Sequence, residues 1–250
     1  MITLNKGRYA ARHAESDADL RAAQALRYRV FARDGSRLND PDGLDRDRFD
    51  AECVHVLIED TRTGRLACCF RMMPLEGGAQ ISRSYSAQYY ELSALAGFEG
   101  RLLEMGRFCI DPEARNADVL RVAWGAMTRF VDETGVELLF GCTSFEGTDA
   151  AAYHDAFAML RDRHLAPGRW LPRVKAPNVF RFANRLRRSP DATRAQRTMP
   201  PLLRTYLSMG GWVSDHAVID AHMNTLHVFT GVEIGRIPPA RKRLLRAVAG

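Results

Sequence analysis

No stretch of the 250-residue chain is apolar for the length that a membrane span needs. Its first residues, Met-Ile-Thr-Leu-Asn-Lys-Gly-Arg, lack the basic, apolar and small-residue zones of a secretory signal. A cytoplasmic protein is expected. Cysteine is scarce and odd in number, and Cys53, Cys68, Cys69, Cys109 and Cys142 have no metal-ligand spacing. Adjacent Cys68 and Cys69 would point to opposite faces of a strand, which argues for reduced, mostly buried thiols over a disulfide framework. The seven histidines form no H-E-x-x-H or other paired spacing, so no bound metal is expected. There is no G-x-G-x-x-G after a strand and no P-loop, which disfavours an enzyme of dinucleotides or nucleoside triphosphates. Internal repeats and low-complexity tracts are absent as well.

What remains is ordinary globular composition: 46% hydrophobic and 26% charged residues, with 19 Gly and 11 Pro. That is enough for one α/β domain with a sizeable core. The formal net charge of +6 is uneven. Arg185, Arg187, Arg188, Arg194, Arg197 and Arg204 crowd one stretch, and Arg236, Arg241, Lys242, Arg243 and Arg246 crowd another. Such runs attract nucleic acid, acidic lipid headgroups or an acidic protein, or simply keep a surface solvated. Few aromatics interleave with them, which argues against a nucleic-acid module.

Pattern predicts a strand at 8–14 and an amphipathic helix over 17–33. A polar, Asp-rich loop follows at 34–51, then a hairpin at 53–59 and 65–73 turning through Asp60–Gly64. A strand at 101–111 leads into a helix over 117–134, with Gly135 placed as its C-cap glycine. A strand at 136–142, a helix at 149–163, a short helix after Pro200-Pro201 and closing strands at 217–220 and 227–234 complete the order. The mixture points to one three-layer α/β domain over 1–235, with 236–250 as a basic C-terminal tail.

Arg27 is followed four residues on by Phe31, and then by Asp45, Asp47 and Asp50, by Arg71 and by Glu104-Met-Gly106-Arg107-Phe108. In these residues the chain resembles the acyl-homoserine-lactone synthases of the GNAT-like acyltransferases. It departs from them at the usual Trp after the first helix, near Arg37, and at the strand Ser, here Gly106. Pro200-Pro-Leu-Leu-Arg-Thr-Tyr-Leu-Ser-Met-Gly210, Ala217-Val-Ile-Asp220, Met223-Asn-Thr225 and Asp118-Val-Leu-Arg-Val-Ala-Trp124 are closer to another group. They resemble the ornithine–acyl-ACP N-acyltransferases of bacterial ornithine-lipid synthesis, in which an acid is commoner at His227. The resemblance covers most of residues 20–235.

It implies a GNAT-like three-layer α/β/α fold with a mixed central sheet. It also implies transfer of a (3-hydroxy)fatty acyl group from acyl carrier protein to the α-amine of L-ornithine. The acyl-ACP phosphopantetheine thioester is then a cosubstrate, and no cofactor is held. Arg27, Phe31, Asp45, Asp47, Asp50, Arg71 and Arg107 are implied on the substrate side; Phe108, Cys109, Ile110 and Arg115 on the acyl–phosphopantetheine side.

The chemistry agrees with this assignment. Aminolysis of a thioester needs a deprotonated amine, and an α-amine is mostly protonated at neutral pH. A strand carboxylate such as Glu104 can accept that proton, directly or through water, and backbone N–H groups of 108–110 can stabilise the oxyanion. On their own, Glu104 and Arg107 read more readily as a structural ion pair, and the three aspartates as a solvated loop. The aspartates either bind a cationic substrate or organise the loop through Arg27 and Arg71. The segment beginning at Arg115 lacks the glycines that let backbone amides approach the coenzyme A diphosphate, which favours a carrier-protein thioester. Two other enzymes stay open: a quorum-signal synthase, and another acyl-ACP- or CoA-dependent amino-acid N-acyltransferase. Peripheral contact with the inner face of a membrane is compatible with all three.

Overall fold

A computed structural model describes residues 3–32, 35–114 and 117–249. In chain order the elements begin with β1 (Thr3–Lys6), β2 (Tyr9–His13), α1 (Asp17–Phe31), β3 (Val54–Asp60), β4 (Leu66–Leu75) and β5 (Tyr90–Glu91). Then come β6 (Arg101–Ile110), α2 (Ala117–Thr134), β7 (Val136–Glu146), α3 (His154–Arg163), β8 (Arg173–Val174) and β9 (Val179–Phe180). The last are α4 (Phe182–Arg185), α5 (Ala192–Thr198), α6 (Pro201–Ser208), β10 (Trp212–Val213), β11 (Ala217–Asp220), β12 (Thr225–Glu233) and α7 (Pro239–Ala249). They form two compact units, neither of them continuous in sequence.

The first unit comprises Met1–Pro74, Met105–Val136 and Pro239–Gly250. Strands β1 to β4 form an antiparallel meander with β6 beside β4. The β3–β4 turn is fixed by Asp60, whose Oδ1 accepts the Arg62 N–H at 3.0 Å, and by Gly64 at φ 68°, a left-handed position suited to glycine. Cross-strand pairs Leu57–Cys69 and His55–Arg71 share one sheet face, since alternate strand residues point the same way. That face receives α1, which is capped by Ser16 and packs Ala23, Leu26 and Val30 onto Leu57, Cys69 and Cys109. Helix α2 packs on β1, β2 and β3 and ends at Gly135, φ 68°.

Residues 236–250 differ from the expected separate tail. Residues 239–249 are helix α7, which belongs to the first unit and packs on α2. The close approach explains a glycine inside α2. A Cβ on Gly125 would stand 2.7 Å from Leu4 Cδ2 and 3.0 Å from the Val248 carbonyl oxygen. Arg246 pairs with Asp132 at 2.8 and 2.9 Å, and Lys6 donates to the Ala247 carbonyl.

The second unit comprises Leu75–Glu104 and Glu137–Pro238. Strands β7, β12, β11 and β9 are antiparallel neighbours, with β10 also on β12. Leu226, Val228 and Phe145 enter a core with Phe157, Phe182 and Leu203 from α3, α4 and α6. The alternate residues His227 and Phe229 lie on the opposite face with Ser144 and Cys142, their partners on β7. Trp212 stacks on Phe229. Among the described residues no disulfide joins any of the five cysteines; Cys68, Cys69 and Cys109 are buried, and Cys53 and Cys142 half-buried.

Candidate active site

Two polar clusters carry the residues singled out by the sequence, one in each unit. They are joined in sequence on β6, where Glu104 precedes Arg107 by three residues.

The first is an arginine–aspartate network. Arg27 reaches it from α1, Arg71 from β4 and Arg107 from β6. The aspartates come from the Asp-rich connection, which tightens at 48–52 into a short 3₁₀ helix capped by Asp47. Arg27, 1% exposed, binds Asp50 through both terminal nitrogens at 2.9 and 2.8 Å. Its Nε donates to Asp45 Oδ2 at 2.9 Å, and its Nη2 also reaches the Asp45 carbonyl. Arg71 donates to both oxygens of Asp47 at 2.6 and 2.8 Å and to Asp50 at 2.6 Å. Arg107 donates to Asp45 Oδ2 at 2.9 Å and Asp47 Oδ2 at 3.1 Å.

Three guanidinium groups thus balance three carboxylates, and the loop is organised by its arginines. Burial raises the Asp50 carboxyl, but the hydrogen bonds and charge of Arg27 outweigh it and hold the group well below the ordinary range. Asp47 is depressed in the same way, against its burial, by Arg71 and Arg107. Exposure rises across the network. Side chains of Arg27, Asp45, Asp50 and Arg71 are 1–6% exposed, against 13% for Arg107 and 22% for Asp47.

Arg107 has φ 52°, a conformation uncommon for residues with a Cβ, and such backbone strain gathers at functional sites. Alternation then divides the predicted acyl-side residues. Cys109 lies with Cys69 under α1, their Sγ atoms 3.5 Å apart, while Phe108 stacks on Phe70. Ile110 is half-buried, and Arg115 lies outside the described residues. Phe31 packs at the edge of the α1 core. Gly106 is not forced by sterics, because a Cβ there would meet only the Arg71 side chain, at 3.8 Å.

The second cluster surrounds Glu104, which is 4% exposed. Its Oε2 accepts the Tyr85 N–H at 2.7 Å, and its Oε1 accepts the Ser86 N–H at 2.7 Å and hydroxyl at 2.5 Å. The Ser86 hydroxyl also lies 3.4 Å from Cys142 Sγ. Sequence pattern did not single out Ser86 or Tyr85. It also passed over Gln24, which donates to Asp50 at 2.9 Å, and His55, whose Nε2 meets the Asp50 carbonyl at 2.9 Å. Gln24 had one signal, its place three residues before Arg27 on the same helix face. No group of three or more potential ligands that could hold a metal occurs among the described residues.

The acetyltransferase (GNAT) domain family matches residues 26–125. The chain is similar in fold to a CoA-dependent acyl-homoserine-lactone synthase, BjaI, with a TM-score of 0.51 and 14% identity over 94% of this chain and 83% of that one. The architecture is the GNAT-like α/β fold with a mixed sheet, as expected. The L-ornithine Nα-acyltransferase of Brucella abortus is 31% identical over 92% of this chain and 86% of its own length. That of Rhodobacter capsulatus is 34% identical, over 88% of each. At that identity and coverage, the chain belongs to the L-ornithine Nα-acyltransferase family.

Proposed function

We propose that the chain transfers a (3-hydroxy)fatty acyl group from acyl carrier protein to the α-amine of L-ornithine, giving lyso-ornithine lipid. The observation that carries this is similarity along nearly the whole chain to L-ornithine Nα-acyltransferases. In the reaction the neutral amine attacks the thioester carbonyl, the carbon–sulfur bond breaks, and the phosphopantetheine sulfur leaves as a thiolate. That thiolate takes back from Glu104 the proton that the amine lost. Glu104 takes the proton lost by the amine, directly or through water. Backbone N–H groups of 108–110 stabilise the oxyanion. Arg107 and Asp47, the more exposed members of the network, meet the substrate carboxylate and side-chain ammonium. Arg27, Asp45, Asp50 and Arg71 hold those two in place.

A docking surface for an acidic carrier protein is supported by exposed Arg181, Arg185, Arg187, Arg188, Arg194, Arg197 and Arg204 in the second unit. Buried Asp155 anchors two of them, Arg188 at 2.8 Å and Arg194 at 3.4 Å. Purified protein given L-ornithine and matched acyl groups on carrier protein or coenzyme A tests the reading. Acyl-ornithine should form faster from the carrier-protein donor, and the advantage should shrink as salt rises. Formation of no acyl-ornithine with either donor defeats the assignment, and an equal, salt-insensitive rate with acyl-CoA defeats carrier-protein docking.

We also infer peripheral contact with the inner face of the cytoplasmic membrane through α7. Its sequence holds four basic residues and no acidic one, and Leu244 is 62% exposed. A lipid product gives such a surface a use. No helix among the described residues is long and apolar enough to cross a membrane.

A further inference from the structure

On the β12 face opposite the second unit's core, His227 is 2% exposed. Its Nδ1 lies 3.1 Å from the Tyr90 hydroxyl, and that hydroxyl donates to the His227 carbonyl at 2.8 Å. Tyr90 has one hydroxyl proton, already given to the carbonyl, so its oxygen accepts from Nδ1–H. A neutral imidazole protonated at Nδ1 presents a lone pair at Nε2. Burial favours that neutral form, lowering the ring to a pKa of about 4. Nε2 is buried and has no hydrogen-bond partner among the described residues. Leaving a buried acceptor unmatched is costly, so Nε2 is open to a donor that a ligand or a water would bring.

Its surroundings narrow the donor. The Tyr89 ring stands edge-on to the imidazole at 4.9 Å and shares a hydroxyl contact with Tyr85. Cys142 lies on the same sheet face, opposite Phe229, and its thiol touches Ser86, which holds Glu104. A chain of contacts therefore leads from the proposed base to His227 within one unit. Asp220, whose charge acts on the ring together with that of His216, already accepts the N–H groups of His222 and Met223 at 2.9 and 3.1 Å. With the Asp220 carboxylate already engaged, a cation finds a neutral imidazole and aromatic edges here, whereas a neutral hydroxyl matches the lone pair at Nε2.

We propose that His227 Nε2 accepts a hydrogen bond from the hydroxyl of a hydroxylated acyl chain and thereby selects it over the unsubstituted chain. The proposal rests on the acyl-transfer reading and names the residue that would read the acyl group. A site that bonds a substrate hydroxyl discriminates against the analogue lacking it, so a preference of about tenfold or more is expected.

The test compares 3-hydroxytetradecanoyl and tetradecanoyl donors on carrier protein, in wild type, His227→Phe and His227→Gln. The ratio of kcat/KM values should favour the hydroxylated donor in wild type, collapse toward one in His227→Phe, and survive in His227→Gln, which keeps an acceptor. Calorimetric binding of the two free fatty acids reads the same preference without turnover. It tests the site even where ornithine is not the acceptor. Melting temperatures show that the variants fold. Equal use and binding of the two chains by wild type, or a preference that persists in His227→Phe, overturns the proposal and leaves Nε2 to a bound water.

Discussion

Replacing Glu104 by Gln exchanges one acceptor oxygen for an amide group that must face a backbone N–H of Tyr85 or Ser86. The variant should lose turnover by on the order of a hundredfold or more, the typical contribution of a positioned base. Some thermal stability should go with it. Ser86→Ala separates the two effects, since it removes one donor to Glu104 and keeps the carboxylate. If Glu104 only organises residues 85–86, both variants should lower the melting temperature while turnover at matched folded content stays within a fewfold of wild type. If it accepts the proton, Glu104→Gln alone should also flatten the acid limb of the pH–rate profile. Glu104 and Arg107 were legible in the sequence because charged groups stand out in an apolar strand. Gln24 and Ser86 were not, and His227 stood out only as a departure from the acid commoner in the family. An amide, a hydroxyl and a lone imidazole are commonplace in a sequence, and only the fold supplies their partners.

Among the elements, α7 departs most from its reading in sequence. Its basic run and Pro238-Pro239 set it apart as a tail. Leu244, Leu245 and Val248 offer one apolar edge of a short helix, but nothing in the sequence says that such a helix packs on α2. Half-buried Leu245 and Val248 lie on one side, against α2, while Arg243, Leu244 and Arg246 are exposed. Deleting the segment would strip α2 of cover, so membrane contact is better tested by Leu244→Ser, which touches only the outer face. That variant should melt as wild type does yet sediment less with anionic vesicles at low salt. The basic residues, each worth about 1 kcal/mol near such a surface, retain part of the binding. Identical sedimentation of the two proteins would remove α7 from the membrane. The long elements β3, β4, β6, α2 and β12 were readable from period and turn residues. Short β5, β8, β9 and β10, two residues each, are set by tertiary pairing and carry no period of their own.

At the scale of the molecule, the arginine–aspartate network ties stability to acid. Asp47 and Asp50 titrate lower in the folded protein than their ordinary range near 4. The unfolded chain therefore takes up protons first as pH falls. The stability they contribute is complete above that range and is lost as pH drops through their folded-state values. Denaturant unfolding between pH 6 and pH 3 should show this loss. Asp50→Asn should begin about 3–5 kcal/mol less stable, because Arg27 stays buried with its bidentate partner impaired, and should then fall less steeply with acid. A mutant with the same acid slope as wild type would show that the network does not govern the acid response.

The first unit is assembled from three separated stretches of chain, with Lys6 bonded to Ala247, 241 residues away, and Asp132 to Arg246, 114 residues away. Such contacts require long loops to close before any of their energy is recovered. By that cost the last helix is expected to dock late, after the meander and α2 have formed a surface for it. Its contacts then act less on the speed of folding than on the speed of unfolding. We expect the seam between α2 and α7 to act as a kinetic latch. Val248→Ala should speed unfolding while leaving refolding within about twofold of wild type on the two limbs of a denaturant chevron. Refolding slowed by as much as unfolding is sped would show that the seam forms early.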